Sequence, residues 1–569
     1  MNIADIPEIE KTDIWSLYEE SLNYCRQFNM FEETRKNYRF YNGNQWEGLK
    51  VTGVEPVQLN FIKPVVKYKV GTINSNLWKP VFTSENFENE EFRNRAEEIC
   101  NMLDKKVSKV WEKDSLDVKI RRVSKDSAIN SEGIMYADYD MENQTPVNEI
   151  IKKTDIFFGN ENDSDIQSQP YILIKRRVPV SEARTIAEQE GVPENKLNYI
   201  VGDNQTFESS GDDALYEKDD MCTIVTKMYK DNGTIHFSRA TKFVELKKDT
   251  DSGLSLYPVA HFLWEQKEGS ARGEGEVKYL IPNQIEVNKT EMRRILTIKY
   301  TAYPQKIINT DKVMNADAAE TIGGVIKTKN GANVEDVNRI FGIVQPAQMS
   351  PDVQTMQNEL ISYSRELSGA GDIATGDVNP ETASGKAILA VQQASQQPLT
   401  EQELELKNFI EDMSRIWLDM FITYSDNGLN LEEEVTDQNG NSFVQLTNVP
   451  QEVLKELQAT VKVEVTPKGV YDKYAQELSL ENLLKGGYFN IQRLPELKVY
   501  ESLLDDDSVM RKDKLQKAIE EMEAEQEKIA QINAQAQIMQ QRANQFLNND
   551  AEAQRAQLES AQQSINQTV

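Results

Sequence analysis

Histidine and cysteine are nearly missing from this 569-residue chain. It has two of the first, His236 and His261, and three of the second, Cys25, Cys100 and Cys222. The cysteines stand far apart, and no CxxC, HExxH or Cys/His cluster occurs. That excludes the usual zinc spacings and a disulfide framework, and it suits a reducing compartment. Basic charge is also in deficit: 64 Lys and Arg stand against 93 Asp and Glu, a formal net charge of −29. A protein that grips nucleic acid through its phosphates is expected to be basic, so only local basic patches are left open. No apolar run approaches the roughly 18 residues of a membrane span. The opening residues MNIADIPEIEKTD are acidic and hold no apolar h-region, so no secretory signal is expected.

What is present includes a stretch that imitates a nucleotide site. GDIATGDVNPETASGKAIL, Gly371 to Leu389, ends in Ser-Gly-Lys before an apolar helix start. A phosphate-binding loop needs Gly, four residues, then Gly-Lys-Ser/Thr, so that successive N–H groups curl round the phosphates and a hydroxyl reaches Mg²⁺. Here the first glycine position holds Pro380 and the hydroxyl position holds Ala387. Proline has no N–H to offer. The preceding QTMQNELISYSRELSGAG has helical spacing instead of a buried strand. The stretch reads as a long loop between helices, with Thr382 or Ser384 as a cap and Lys386 as a solvated charge.

The order of elements reads as α+β. Residues 10 to 130 look mostly helical, with Trp15, Leu17, Tyr18, Leu22, Cys25, Phe28 and Phe31 on one face. From 133 to 260 the signal turns to strands, with Asp231-Asn232-Gly233 as a hairpin turn. Between strands lies a short helix, SEARTIAEQEG, with Ser181 as N-cap and Gly191 as C-cap. IPNQIEVNKTEMRRILTIKYTAY is a helix with Pro282 in its first turn and Pro304 beyond its end. Gln305 to Gln348 is compact and mixed. SPDVQTMQNELISYSRELSGAG is a helix with Ser350 as N-cap, Pro351 at N1 and Gly369 as its stop. After the Gly-rich loop comes a long helix that Pro398 should kink. Residues 430 to 470 return to strands. Leu503 to Val569 has no Gly or Pro and is rich in Gln and Ala. Leu515, Ile519, Met522, Gln526 and Ile529, then Ile532, Ala536, Met539, Ala543 and Phe546, form a heptad seam with one slip. A seam this weak and long favours partners over a lone amphipathic helix.

Helix, compact mixed module, helix, long loop, long kinked helix: this order resembles the core of bacteriophage portal proteins, the head-to-tail connector rings. The residues that carry the resemblance are GEGEVKYLIPNQIEVNKTEMRRILTIKYTAYPQKII, LSGAGDIATGDVNPETASGKAILAVQQAS and the earlier YRFYNGNQWEG. It covers most of Asp13 to about Val470. The Gln-rich C-terminal helix resembles the barrel of some podovirus-like portals, less specifically.

The resemblance implies a division of the chain. Residues 1–280 are wing, 281–303 the first stem helix, 304–349 the clip, and 350–368 the second stem helix. Residues 369–380 are the tunnel loop, 381–428 a kinked wing helix, 429–470 wing strands, 471–510 crown and 511–569 the barrel helix. It implies a subunit of a ring of roughly twelve copies with closed heterologous interfaces. The ring would be the channel for packaging and ejecting double-stranded DNA, contacted without sequence specificity. Its partners would be the terminase large subunit, which carries the ATP hydrolysis, then head-completion or adaptor and tail proteins, with the major capsid and scaffolding proteins around it. The place is the portal vertex of the virion, after assembly in the host cytoplasm. No enzyme activity, cofactor, metal or membrane is expected.

In the tunnel loop, Gly369, Gly371 and Gly376 permit backbone conformations closed to other residues. Asp372 and Asp377 are the only charges between Glu366 and Glu381, and acids at close range repel phosphate. On the first stem helix, Lys289, Arg293, Arg294 and Lys299 have two readings: ion pairs with Glu286, Glu291 or Glu359 of a neighbouring helix, or a mild phosphate-facing ring. The acids Asp505 to Asp507 read as a solvated helix start. Asp377, Asn379 and Glu381 fail as a calcium loop, since the sixth position is Thr382 and the twelfth Ile388. His236 and His261 read as packing residues. Two further readings stand beside the portal: a cytoplasmic enzyme with a helical oligomerisation tail, and a coiled-coil scaffold. The first lacks any nucleophile, metal or cofactor motif; the second leaves the large mixed region before residue 470 unused.

Overall fold

The computed structural model describes residues 10–46, 55–84, 90–203, 220–321, 323–329, 340–345, 348–370, 397–436, 442–457 and 459–466. It also describes 519, 522–524, 526, 528–530, 532, 534–541, 555 and 558–559. The chain divides into two units, Met1–Thr466 and Pro467–Val569. It is a mixed α+β protein with several small sheets, as its alternation of period-3.6 and period-2 segments predicts.

The first unit opens on helices α1 (Asp13–Gln27), α2 (Met30–Asn42), α3 (Ile62–Ile73), α4 (Glu90–Lys113) and α5 (Leu116–Asn130). Thr12 caps α1 by accepting from the Trp15 N–H at 3.3 Å. One element departs from the helical expectation for this region. Strand β1 (Leu77–Ser84) pairs antiparallel with the unit's last strand, Leu77 opposite Thr466 and Ser84 opposite Ala459. Its Pro80 argues against a strand locally. A partner hundreds of residues away supplies the pairing.

Strands β2 (Glu132–Asp140), β3 (Thr145–Ile151) and, much later, β9 (Val259–Leu263) make one sheet in the order β3-β2-β9. Strands β4 (Ile156–Phe158), β5 (Tyr171–Pro179), β6 (Met221–Asp231), β7 (Thr234–Ala240) and β8 (Glu245–Asp251) make a five-stranded antiparallel meander. The run TPVNEIIKKTDIFFG is therefore two strands in two sheets. The 3₁₀ turn Lys153–Asp155 separates them, with the Lys153 ammonium donating to the Asn130 carbonyl at 2.9 Å. Asn232 (φ 50°) and Gly233 (φ 94°) make the expected tight turn between β6 and β7. Helix α6 (Val180–Gln189) starts one residue before Ser181, with Pro179 in the cap position. Gly191 ends it in the left-handed region, φ 79°. A four-residue helix, α7 (Glu194–Leu197), follows.

Helix α8 (Glu276–Ala302) and helix α9 (Asp352–Leu367) flank a small module. In it, β10 (Lys306–Ile308) pairs with β11 (Phe341–Ile343). The Ser350 hydroxyl accepts from the Asp352 N–H at 3.3 Å, so Ser350 caps α9 as its sequence predicts. Pro398 sits in a 3₁₀ turn, Gln397–Leu399, and helix α10 (Thr400–Thr423) begins after it. The helix of the described residues thus follows the proline and does not run through it with a kink. Residues 381–396 lie outside the described residues. The unit closes with the hairpin β12 (Leu429–Thr436) and β13 (Ser442–Val449), helix α11 (Gln451–Glu456) and β14 (Ala459–Thr466).

Three cores hold the unit. The largest joins α3, α4, α5, the three-stranded sheet and α10, whose Leu406, Phe409, Ile410, Met413, Trp417 and Phe421 are all buried. The Trp417 indole N–H donates to the Asn148 side-chain oxygen at 3.0 Å, which gives a buried polar group its partner. In the second, Trp15, Tyr18, Leu22 and Cys25 of α1 cover Phe157, Leu173 and Val225 of the meander. The third gathers α6 and α7 against Cys222, Ile224 and Leu246.

In the second unit the described residues between 519 and 541 are helical. Ile529, Ile532 and Met539 of the seam are exposed, while Ile519 is buried. Leu515, Ala543 and Phe546 lie outside the described residues, as do Asp505 to Asp507.

Candidate functional site

Helix α8 is anchored before it is exposed. Its start depends on two glycines in ARGEGEV. A Cβ on Gly273 would stand 2.6 Å from the Glu265 carbonyl oxygen, and one on Gly275 would stand 2.7 Å from the Ser131 nitrogen. Only glycine lets this backbone lie so close to the end of α5. The helix therefore begins at Glu276, and Pro282 lies inside it, not in its first turn. Pro282 is exposed, so water can serve the carbonyl it leaves unbonded.

A buried ion network braces the same entry. Glu132 is fully buried and accepts from the Arg272 guanidinium at 3.1 Å and pairs with His261 at 2.8 Å and Lys153 at 3.4 Å. Arg272 also grips Glu161 through two nitrogens, both at 2.9 Å, and lies 4.4 Å from the Phe158 ring centroid. Burial alone would raise the Glu132 pKa. Arg272 first, then Lys153 and the His261 hydrogen bond, overcome it and hold the carboxyl well below the usual carboxylate range. His261 is thus a structural partner of Glu132. His236 pairs with Asp249 on the neighbouring strand at 3.0 Å.

Further along α8, two amides one turn apart clamp an extended segment from the N-terminal region. The Gln284 side-chain oxygen accepts from the Phe61 N–H at 3.0 Å, and its nitrogen donates to the Leu59 carbonyl at 2.9 Å. Asn288 accepts from the Leu59 N–H at 3.2 Å and donates to the Gln45 side chain. Both amides are buried. The role of Asn288 as a clamp was not legible in the helical spacing. The available signal was a pair of amides four apart on an otherwise apolar face.

Beyond this clamp α8 leaves the core, and α9 runs antiparallel beside it. Asn283 donates to the Ser364 hydroxyl at 2.9 Å, and Gln357 donates to Glu291 at 3.0 Å. The pair carries exposed apolar and aromatic side chains on both members: Ile298, Tyr300 and Tyr303 at the end of α8, and Met356, Tyr363 and Leu367 on α9. Leu367 is 88% exposed. Three basic residues of the exposed part of α8, Lys289, Arg293 and Arg294, have acids on the helix itself. Glu286 lies 3.7 Å from Lys289 and 3.3 Å from Arg293, and Glu291 lies 3.6 Å from Arg294. The acids expected to come from a neighbouring helix thus come from the same one. These exposed pairs add little stability.

A helix, a small mixed module and an antiparallel return helix are the arrangement expected from the sequence. A family model of phage P22-like portal proteins matches residues 158–568, most of the chain. The chain belongs to the phage P22-like portal protein family. No curated protein matched it.

The family is structural and non-enzymatic, a component of the virion that assembles as an oligomer in the phage head. Of the residues read as a DNA-facing loop, Gly369 is described. It stops α9 in the left-handed region at φ 73°, its N–H donating to the Glu366 carbonyl at 2.9 Å. Gly371, Asp372, Gly376 and Asp377 lie outside the described residues of the portal subunit, as do Lys386 and the residues of the rejected calcium loop. Lys289, Arg293 and Arg294 share the exposed part of α8. Among the described residues no cluster of His, Cys, Asp or Glu is arranged to hold a metal, and no helix is long and apolar enough to cross a membrane.

Proposed function

We propose that this portal subunit closes with its copies into a ring of about twelve around a channel for double-stranded DNA. The α8–α9 pair is its stem, and the module from 304 to 349 is the clip that receives the terminase and later the adaptor and tail proteins. Residues 369–380 form the loop that meets DNA, residues 471–510 the crown and residues 511–569 the barrel. The observation that carries the reading is the antiparallel pair itself, with exposed Ile298, Tyr300, Met356, Tyr363 and Leu367 on a strongly acidic protein. Apolar side chains gathered on one helix pair mark a surface made for a partner. In a closed ring, the face of one copy meets the opposite face of the next. The in-helix pairing of Lys289, Arg293 and Arg294 leaves the stem close to neutral there, which suits a wall past which DNA slides.

The test is the mass of the purified full chain by light scattering, with axial images of the particle. The expected result is a ring near twelve subunits with a central opening. Tyr300→Asp with Tyr363→Asp should shift it towards monomer. A small oligomer without a central opening, in every buffer that keeps the chain folded, would overturn the reading.

A further inference from the structure

Helix α5 presents a basic stripe to solvent. Val118, Arg121, Arg122 and Lys125 are all exposed, and at 100° per residue they fall within one arc of about 100°. The other charges of the helix are engaged. Lys119 pairs with Asp114, Asp117 accepts from the Trp111 indole at 2.9 Å, and the half-buried Asp126 accepts from the Tyr38 hydroxyl at 2.8 Å. Asp126 lies within electrostatic reach of Arg122, Lys125 and Lys152, yet burial raises its pKa in spite of them. Lys63 of α3 extends the patch: it and Lys125 lie 5.7 and 5.4 Å from the centroid of the Tyr41 ring. Lys63, Arg122, Lys125 and Lys152 thus share one half-buried carboxylate. Among the described residues neither these four nor Arg121 forms an ion pair.

Helix α10 carries the opposite stripe. Glu401, Leu404, Glu405, Asp412 and Arg415 also fall within an arc of about 100°. Arg415 is taken by Asp412 at 2.7 Å and Glu411 at 3.4 Å. Glu401 and Glu405 have no ion pair among the described residues. Glu405 is half-buried; burial first, then Glu401 and Asp412, raise its pKa, and His261, already bonded to Glu132, opposes them. The helix dipole favours an acid at Glu401 in the first turn, but not at Glu405 or Asp412 further along. Each stripe holds one exposed aliphatic side chain among its charges, Val118 at 51% and Leu404 at 55% exposure. Their lengths match, about 10 Å from Val118 to Lys125 and about 12 Å from Leu404 to Asp412. Within one subunit the stripes do not pair: among the described residues no ion pair joins α5 to α10.

We propose that the α5 stripe of one subunit docks on the α10 stripe of the next copy. The proposal rests on the ring reading, whose heterologous interface brings two different faces together, and adds a contact outside the α8–α9 pair. Opposite potentials select partner and register, and like charges set against each other there are costly. The test uses the full chain, with assembly followed by light scattering over a range of protomer concentrations. Arg121→Glu with Lys125→Glu turns the first stripe acidic, and Glu401→Lys with Glu405→Lys turns the second basic. Each variant alone should raise the concentration of half-assembly more than about tenfold, with unchanged circular dichroism. Mixed in equal amounts, the two should assemble as the wild type does, because every contact then sets an acidic stripe on a basic one. Arg121→Gln with Lys125→Gln places no new charge, should give a smaller rise, and supplies the reading where a charge-reversed chain does not fold. Wild-type assembly by each variant alone overturns the proposal and leaves the ring reading standing; so does loss of assembly in both folded variants with no rescue in the mixture. A wild type that forms a small oligomer without a central opening removes the ring reading, while rescue in the mixture would still join the two stripes. An Arg121→Glu, Lys125→Glu variant that assembles normally but loses binding to a mixed-sequence 30-base-pair duplex gives the basic stripe to nucleic acid and overturns the proposal.

Discussion

Gln284→Leu keeps the volume of a fully buried side chain and removes only its polar end. In the native protein that end holds the Phe61 N–H at 3.0 Å, the Leu59 carbonyl at 2.9 Å and Asn288 at 3.0 Å. The leucine leaves two backbone groups of the 59–61 segment without these partners. The buried Phe61 N–H costs about 1–3 kcal/mol when unpaired, while Leu59 is exposed and its carbonyl adds little, so the variant should lose about 1–3 kcal/mol. Because the volumes match, little of this is a cavity term. The loss should also be local. Amide hydrogen exchange at Phe61, followed by mass spectrometry on the peptide that contains it, should accelerate roughly a hundredfold for a loss of about 3 kcal/mol. Asn283→Ala, on the α9 side of the same helix, gives up a single bond to Ser364 and should leave the Phe61 amide protected. A urea midpoint equivalent to less than about 0.5 kcal/mol of change, with unaltered exchange at Phe61, would refute the clamp.

Glu132→Gln should cost about 3–5 kcal/mol at pH 7, because Arg272 is left with less of its buried counter-charge. The folded pKa of Glu132 lies below the unfolded value of about 4.3, so its contribution is complete above that value and declines as pH falls below it. The gap between wild type and variant in urea midpoint, at fixed protomer concentration, should therefore narrow below about pH 4; a gap constant from pH 7 to 3 would contradict the network. Gly275→Ala should destabilise by about 1–3 kcal/mol, since its Cβ meets backbone at Ser131 and Ile129. Gly71→Ala on α3, with nothing within 4 Å of the new carbon, should instead be neutral or slightly stabilising in the same thermal melts. Asp372→Lys with Asp377→Lys should leave ring assembly intact and slow DNA packaging by the purified motor, with the defect easing as salt rises. Unaltered packaging would remove those residues from the channel wall.

Local chemistry was enough for the elements whose causes are local. The Asn232-Gly233 turn, the Ser350 cap and the stop at Gly369 each depend on a few neighbouring residues, and the sequence alone determined them. The succession of helix, mixed module and helix from 281 to 368 was legible there too, and the match of a family model over residues 158–568 places the chain among the portal proteins. What the tertiary structure decided lies where the partner is distant. β1 exists because Leu77–Ser84 finds Ala459–Thr466. α8 starts at Glu276 because the Gly273 and Gly275 backbone presses on Ser131. Glu132, Arg272 and His261 meet only after β2 and β9 pair, and Gln284 reaches Phe61 across more than two hundred residues. In each case the interaction is short-ranged in space and long-ranged in sequence. A strand's period or a glycine's freedom is written into a few adjacent residues, but the groups that satisfy a buried amide or charge are chosen only when the chain has folded.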